Sequence, residues 1–555
     1  MGGGVSLGTY SAGALTELYH ALKEINRTGD TRVRVEVLVG ASAGSMTAAI
    51  FAKALIADDP AVTALMYDSW VNQIDITRLA PADATEFDPL SLLQADAIDS
   101  IGARALEPPG PTAPWSNSTD PLHLAFTGTN LGGIPLAMPY GRRNGAMVFD
   151  DHADAFITRL NKTDPASLVT DKWHAIRRTA IASGAFPVAF PPREVPRDRN
   201  EPPISTFEFL DFPKDTENPL GMWYCDGGVF DNEPIGLARK LASLCTDYND
   251  PHFEYRYIVI DHDLARNTWK PLEKPTSLTG ALGVLVGAVL EQGTSKDYLR
   301  ATKVNEHANS QRVAVTQQLR PMVDAIPAGA AFTALAQKIA DGLSQSIALH
   351  FFDAEDQPTP EQIAAKVAAQ RVRIAASQDY ASALAGLAAE RKALLIDAIL
   401  LSEVTAGLLD KRVLDINIVA PDVPVGQQAL AGAFLWNFGG FFDRSWRQHD
   451  FDCGRRDARR TLTNDMGFSY APDDAANYTP ADIPSGVAHI SAQRKDEFLT
   501  YLTKRVEALI RPGLDSLSAG APFGTGWMLR WVIPRIPRML ASAALGKIPE
   551  WNSDA

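Results

Sequence analysis

The sequence has few cysteines, no membrane-spanning run and no excess of basic residues, and each shortage excludes a class of protein. Cysteine occurs three times in 555 residues, too few for a disulfide framework or a four-thiolate zinc site. Acidic residues outnumber basic ones, 66 to 52, and the net charge is −14. Because a nucleic-acid-binding protein needs a basic surface to displace counterions, we exclude nucleic acid as a partner.

Targeting and spanning segments are also missing from the sequence. No basic region followed by an apolar run opens the chain, so we expect no secretory signal. The uncharged stretch closest in composition to a membrane span covers residues 275–290, which is shorter than the ~20 residues that a spanning helix needs. We therefore predict a cytoplasmic protein, either soluble or bound at a membrane surface. The oligomeric state is not indicated by the sequence.

The sequence does contain the alternation of an α/β fold. In the first third, short β-branched runs alternate with helical patterns, which is typical of a largely parallel sheet. Apolar spacing predicts an amphipathic helix from Leu15 to Ile25 and a second helix over Ser45–Leu55. Proline-rich stretches at 108–114 and 187–203 are predicted to be surface loops. The predicted strands are Val33–Val39, Leu124–Thr127, Met222–Cys225, Tyr257–Asp261 and Leu414–Val419.

Two segments match the pattern G-x-S-x-G, in which a serine is exposed on a strained strand-to-helix turn. One has Ser42 at its centre, between Gly40 and Gly44, and the other has Ser6, between Gly4 and Gly8. An apolar strand pattern precedes Ser42 and a helical pattern follows it, as the turn requires, whereas only glycines precede Ser6. We predict that Ser42 is a nucleophile. The alternative for both segments is a tight turn without chemistry.

An acid follows another apolar strand pattern, because residues 223–225 lead into Asp226 and then Gly227 and Gly228. The carboxyl end of a strand is where α/β folds place their sites, and the two glycines allow close backbone approach. A serine hydroxyl needs such a neighbouring base to become a nucleophile. The alternative is a turn-forming Asp-Gly pair.

In chain order, the glycine run at 2–4, the Ser42 motif and the Asp226 motif resemble the patatin-like phospholipase family. Segments at 124–131, 182–187 and 231–234 are also similar to that family. The resemblance covers about residues 1–262. It implies a three-layer α/β/α fold with a mainly parallel central sheet. It also implies a lipid acyl hydrolase of the phospholipase A or lysophospholipase type, and we expect no cofactor and no metal.

The resemblance implies a Ser–Asp dyad. Ser42 would attack the ester carbonyl, and Asp226 would orient and deprotonate Ser42 without a histidine, giving an acyl-enzyme that water hydrolyses. The residues expected to shape the site are Gly2, Gly3 and Gly4 as the oxyanion hole, Gly40 and Gly44 around the nucleophile, and Gly227 and Gly228 after the acid.

The glycine loop departs from the family pattern, and this keeps alternatives open. No strand precedes the loop, so either the sheet lacks its first strand or the sequence begins downstream of the true start. The loop is also one residue longer between Gly4 and Gly8 than the usual G-x-G-x-x-G, and it has no basic residue. One alternative is a Ser–His–Asp esterase in which His262 is the base. The other is a catalytically inactive, membrane-associated interaction protein on the same fold.

The rest of the chain is predicted to extend this catalytic unit. Alanine, leucine and glutamine dominate residues 311–411 without a strand pattern, which predicts a helical insertion. We expect a catalytic domain over 1–310, a return strand with an aromatic and basic segment over 412–462 that completes it, and a C-terminal extension over 463–555. The aromatic and basic segment either closes the substrate cleft or is core with a solvated basic end. Trp527–Lys547, which has two tryptophans and four basic residues, suits membrane contact or core packing.

Overall fold

The computed structural model describes residues 1–28, 32–57, 60–108, 121–140, 145–161, 170–201, 203, 208–210, 212, 217–246, 248, 252–262, 299–352, 358–409, 413–422, 430–471 and 483–519. The chain divides into two compact units. The first comprises the described residues of Met1–Ala242, Ile258–Asp297 and Asn417–Ala555, and the second those of Ser243–Tyr257 and Tyr298–Ile416.

The described residues contain eight strands, which form a six-stranded sheet and a separate pair. In chain order they are β1 (Val37–Gly40), β2 (Leu122–Tyr140), β3 (Gly145–Leu160), β4 (Arg193–Arg197), β5 (Glu208–Phe209), β6 (Leu220–Asp226), β7 (Arg256–Ile260) and β8 (Asp415–Val419). Strands β1 to β6 make the six-stranded sheet, and β7 and β8 make the pair. Every predicted strand has a counterpart here, although the first begins at Val37 rather than Val33.

The α/β fold class is confirmed, and the sheet is mixed where we expected it to be mainly parallel. Strand β1 pairs with β2 in parallel, with Leu38 opposite Leu124. Strand β2 pairs with β3, β5 and β6 in antiparallel fashion, and so does β4 with β6. The long β2–β3 hairpin, which the sequence pattern did not reveal, supplies most of the antiparallel pairing.

Strands β3 and β4 were not predicted because neither reads as an apolar run. The middle of β3 is Asp150-Asp151-His152 and is partly exposed, so it lacks the alternation that marks a half-buried strand. Strand β4 lies inside the stretch that we predicted to be a proline-rich loop. It pairs only with β6 among the described strands, and an edge position of this kind tolerates Pro196.

Helices cover both faces of the six-stranded sheet and make it the middle of three layers. The helices of the N-terminal part of this unit are α1 (Gly8–Thr28), α2 (Ala43–Ala57), α3 (Pro60–Tyr67), α4 (Ile76–Leu79), α5 (Asp96–Ala105), α6 (Thr170–Ser183) and α7 (Ile235–Ala242). Leu38 and Leu124 face the main core with α1, α2 and α6, whereas Val39 and Ala125 face Leu237 of α7. Alternation of side chains along each strand produces this division. The three-layer α/β/α arrangement is therefore confirmed.

The second unit is helical in its described part. Its helices are α8 (299–314), α9 (Arg320–Ala325), α10 (Ala330–Phe351), α11 (Pro360–Ala376), α12 (Ala381–Leu384) and α13 (Ala389–Thr405). Thr359 caps α11 through a capping box with Gln362, an arrangement that fixes a helix start. Leu343 and Ile399 lie in its separate apolar core. The boundaries that we expected at residues 310 and 411 stay predictions.

The aromatic and basic segment ends in a helix that packs tightly on α1. This helix is α14 (Arg444–Arg460), and α15 (Ala492–Ala519) follows it. A Cβ on Gly13 would lie 1.9 Å from the carbonyl oxygen of Phe451, and one on Gly454 would lie 2.0 Å from that of Tyr10. Only glycine fits these two positions, because the helix backbones touch there.

The basic end of α14 is only partly solvated, because two of its arginines pair with a buried carboxylate. Arg455 and Arg459 both pair with Glu17 of α1, at 2.9 and 2.6 Å, and the Glu17 side chain is fully buried. Elsewhere in α14, Arg447 pairs with Asp75, Arg456 with Asp457 and Arg460 with Asp422. Burying a carboxylate costs free energy unless it is paired and hydrogen-bonded, and Glu17 is more than 400 residues from Arg455 and Arg459 in sequence.

No described helix is both long enough and apolar enough to cross a membrane. The predicted membrane-contact segment, Trp527–Lys547, lies outside the described residues, as does the stretch at 275–290.

Candidate active site

Ser42 occupies the sharp turn between β1 and α2. Its φ is +52°, a left-handed value that is strained for a residue with a side chain and typical of a nucleophile turn. A Cβ on Gly40 would lie 2.6 Å from the carbonyl carbon of Gly44, and a Cβ on Gly44 would lie 2.6 Å from the carbonyl oxygen of Met1. The turn therefore needs both predicted glycines.

Asp226 lies at the end of β6 and faces Ser42 directly. The Ser42 hydroxyl donates to Asp226 Oδ2 at 2.5 Å, and the backbone N–H of Gly228 donates to Asp226 Oδ1 at 2.7 Å. The Thr129 hydroxyl donates to the backbone carbonyl of Asp226 at 2.8 Å. The two residues of the predicted dyad, 184 positions apart, are thus in hydrogen-bond contact.

Burial sets the acidity of Asp226. Its exposed fraction is 2%, and this burial raises the pKa of its carboxyl to about 7, although the hydrogen bonds from Ser42 and Gly228 act in the opposite direction. Burial disfavours the charged carboxylate, so the pKa rises and the carboxylate becomes a stronger base. A base whose pKa is near the working pH is well matched to removing a proton from a hydroxyl at neutrality.

The glycine loop runs alongside Ser42, but two of its three predicted oxyanion donors already have backbone or side-chain acceptors. A Cβ on Gly3 would lie 2.5 Å from Ser42 Cβ, so the loop backbone touches the nucleophile. The Gly3 N–H donates to Asn232 Oδ1 at 2.9 Å, and the Gly2 N–H donates to the carbonyl of Ile260 at 3.4 Å. For the N–H of Gly4 the described residues provide no acceptor.

Ala43 is a further donor candidate that our sequence reasoning missed. It is the first residue of α2, so its N–H has no partner within the helix and lies at the positive end of the helix dipole. In nucleophile turns of this type, the residue after the serine supplies an oxyanion donor. That motif rule is the signal that could have found it.

His262 packs against the glycine loop. Its ring atoms would lie between 2.4 and 3.0 Å from a Cβ on Gly4. Among the described residues, no histidine shares a hydrogen bond with Ser42. The Ser42 hydroxyl is used by Asp226.

Two other serines brace the site. The Ser183 hydroxyl accepts from the Ser42 N–H at 3.0 Å and lies 2.7 Å from the Ser45 hydroxyl, which fixes the strained turn to the end of α6. Ser6, the serine of the second G-x-S-x-G match, donates its hydroxyl to the carbonyl of Asn437 and accepts from the Gly440 N–H at 3.1 Å. Ser6 thus joins the glycine loop to the aromatic segment.

An apolar cavity opens beside Ser42. Ser42 and Ser69 are the hydroxyl-bearing residues of a lining that is otherwise apolar, and Phe441 brings the aromatic segment into it. The lining residues are Val5, Ser42, Ala43, Met46, Ile50, Ser69, Trp70, Ile74, Ile98, Ile101, Gly102, Ala105, Leu106, Ala180, Ile181, Gly184, Phe186, Phe190 and Phe441. Such a lining suits a hydrocarbon chain.

Metal ligands do not cluster in the described part of the chain, where no three His, Cys, Asp or Glu side chains lie together as a site would require. The expectation of no metal and no cofactor stays a prediction.

Comparison with known proteins identifies two regions of the chain. Residues 1–239 match the sequence model of the patatin-like phospholipase family, and residues 290–466 match that of a family described as protein of unknown function (DUF3376). The chain is also similar to the uncharacterized protein y4iI of Sinorhizobium fredii (strain NBRC 101917 / NGR234), with 26% identity over 311 residues. That match covers 43% of this chain and 44% of the relative, so the chain spans less than half of the relative's length. The family resemblance carried by the three motifs is confirmed: residues 1–239 of this chain are a patatin-like phospholipase domain.

Proposed function

We propose that this chain hydrolyses carboxylic ester bonds of lipids, as a phospholipase A or lysophospholipase, with Ser42 as nucleophile and Asp226 as base. The observation that carries the proposal is the 2.5 Å hydrogen bond between the Ser42 hydroxyl and the buried Asp226 carboxylate. The family match supports a lipid substrate. The apolar cavity beside Ser42 supports an acyl chain as the part of the substrate that is bound.

The first half-reaction transfers the acyl group to Ser42. Asp226 takes the hydroxyl proton as Ser42 Oγ attacks the ester carbonyl carbon, and the carbonyl oxygen becomes an oxyanion. Backbone N–H groups of Ala43 and Gly4 stabilise this charge, a contribution that is typically ~10²–10³-fold in rate for one donor. The tetrahedral intermediate then expels the alcohol, which takes the proton from Asp226.

The second half-reaction releases the acid. A water molecule gives its proton to Asp226 and attacks the acyl-enzyme carbonyl, and collapse of the second intermediate breaks the bond to Ser42 Oγ and returns the proton to Ser42.

Each buried methylene contributes ~0.8 kcal/mol to binding through the hydrophobic effect. We therefore expect rates to rise with acyl length until the cavity is filled.

Fluorophosphonate labelling tests the dyad against its alternatives. We expect wild type and His262→Ala to label, Ser42→Ala to lose labelling, and Asp226→Asn to label ~10³-fold or more slowly because the base is gone. Loss of labelling in His262→Ala with Asp226→Asn intact would support the Ser–His–Asp esterase instead. A wild type that neither labels nor hydrolyses lipid esters would support a non-catalytic interaction protein.

A further inference from the structure

Two loops form one wall of the cavity, and both turn outward at residues with left-handed backbone. The first loop covers residues 186–190 and supplies Phe186 and Phe190 to the lining. The second covers residues 434–441 and supplies Phe441. The ring of Phe438, in the second loop, contacts both Phe186 and Phe190 of the first, with centroids 5.7 and 6.5 Å apart.

The outward turns hold apolar side chains in solvent. Val188 has φ +70° and is 62% exposed. Trp436 has φ +54° between two other left-handed residues, Leu435 and Asn437, and is 80% exposed. A β-branched or bulky residue at positive φ is a strong outlier, and such strain persists where the surroundings enforce it and clusters at functional sites.

The surroundings do enforce these turns. Ser6 binds the carbonyl of Asn437 and the N–H of Gly440, which fixes the second loop to the glycine loop. The carbonyl of Val188 accepts from the Leu92 N–H at 2.7 Å, and that of Ala189 accepts from the Leu93 N–H at 2.9 Å. Leu90, two residues before this pairing in sequence, is 57% exposed.

We infer that Leu90, Val188 and Trp436, which we call the apolar rim, are a docking surface for the lipid aggregate from which the substrate enters. Val188 and Trp436 belong to the two loops that supply Phe186, Phe190 and Phe441 to the cavity wall, so the rim lies where an acyl chain would leave an apolar phase for the cavity. Tryptophan is suited to the boundary between hydrocarbon and water. This inference rests on the proposed function for the nature of the partner.

Asparagine is the substitution of choice at both strained positions, because it tolerates left-handed backbone and removes the apolar side chain. We compare Trp436→Asn/Val188→Asn with Leu349→Asn, which removes an 86% exposed leucine from α10 in the other unit. All variants carry Ser42→Ala so that the lipid is not consumed. The measurement is co-flotation of the full chain with phosphatidylcholine vesicles over a range of lipid concentrations.

We expect the double variant to need at least about tenfold more lipid for half-maximal binding, and Leu349→Asn to bind as the parent does. Equal binding by all three proteins, or a parent that does not bind, would overturn the inference. The inference would also be overturned if the parent were a dimer and the double variant bound vesicles normally but became a monomer. The rim would then be a contact between two copies of the chain.

A monomeric short-chain ester separates this inference from the proposed function, since its hydrolysis needs the dyad but no lipid surface. With Ser42 restored, the double variant should lose far more activity on vesicles than on this ester. Rim-dependent vesicle binding by a protein that hydrolyses no ester would leave docking intact and reject the hydrolase. Ester hydrolysis by a protein whose vesicle binding does not depend on the rim would support the hydrolase and reject the docking surface.

Discussion

The two serines in G-x-S-x-G motifs, Ser6 and Ser42, are both buried, yet their hydroxyls face opposite kinds of group. Ser42 donates to a carboxylate that can accept its proton. Ser6 donates to the carbonyl of Asn437, which cannot serve as a base, and also accepts from the Gly440 N–H. The same five-residue pattern thus yields a candidate nucleophile in one turn and a structural tie in the other.

The position of the backbone strain differs in the same way. In the Ser42 motif the residue with left-handed backbone is the serine itself, at φ +52°. In the Ser6 motif it is the preceding residue, Val5, at φ +51°. A left-handed serine on a turn projects its hydroxyl away from the backbone, as a nucleophile needs. The G-x-S-x-G pattern alone therefore does not determine which residue adopts the left-handed backbone. The two motifs differ in that only Ser42 follows a strand, β1.

Alanine at each serine is the strongest test of this difference. Ser42→Ala should lower kcat/KM for ester hydrolysis by at least ~10³-fold, because the nucleophile is lost. Ser6→Ala should lower it by less than about tenfold, because Ser6 acts only on loop position. Hydrolysis of a p-nitrophenyl ester measures both. Equal losses in the two variants would contradict the assignment of the nucleophile.

The pH dependence of labelling sharpens the comparison at Asp226. A base must be ionised, and with a pKa of about 7 its ionised fraction falls tenfold for each pH unit below that value. Fluorophosphonate labelling should therefore reach a plateau above pH 7 and be ~100-fold slower at pH 5. Ser6→Ala should keep the same midpoint, since Ser6 does not contact Asp226. A profile flat down to pH 5 would reject the buried base.

Alanine in the glycine loop should separate two neighbouring positions. Gly3→Ala places a Cβ 2.5 Å from Ser42 Cβ and 2.6 Å from Asn232 Oδ1, so the loop must move away from the nucleophile. We expect a loss of ~10²-fold in kcat/KM, comparable to the loss of an oxyanion donor. Gly2→Ala is the matched control, because its Cβ would meet nothing nearer than 3.4 Å. A larger loss in Gly2→Ala would indicate that the loop is placed differently.

The dyad could be predicted from the sequence because each of its residues lies in a short motif with its own strand. Ser42 follows β1 and Asp226 ends β6, and the carboxyl end of a strand is where α/β folds place their sites. Asp226 nevertheless lies on a strand antiparallel to β2, so the mainly parallel sheet that we expected was not needed to bring the pair together.

Contacts over more than 400 positions could not be predicted in this way. Ser6 joins Gly440, and Glu17 joins Arg455 and Arg459, and neither partner has a local pattern that names the other. An arginine cluster looks the same whether solvent or a buried glutamate surrounds it. These contacts determine where the aromatic segment lies. The sequence alone therefore left open whether this segment closes the substrate cleft or packs in the core.

The smallest expected effect concerns the stability of the tie that Ser6 forms. Ser6→Ala leaves the buried Gly440 N–H without its acceptor, which should lower the free energy of unfolding by ~1–3 kcal/mol. Thr16→Ala is the control, because its hydroxyl only adds a second bond to the carbonyl of Ala12 in α1, and it should cost less than ~0.5 kcal/mol. The tryptophans among the described residues, Trp70, Trp173, Trp223, Trp436 and Trp446, all lie in the first unit, so we follow the midpoint of urea unfolding by tryptophan fluorescence. If Ser6→Ala shifts this midpoint no more than Thr16→Ala does, Ser6 does not hold the aromatic segment in place. The left-handed turn at residues 435–437 must then be enforced by Arg447, which donates hydrogen bonds to the carbonyls of Gly440 and Phe441.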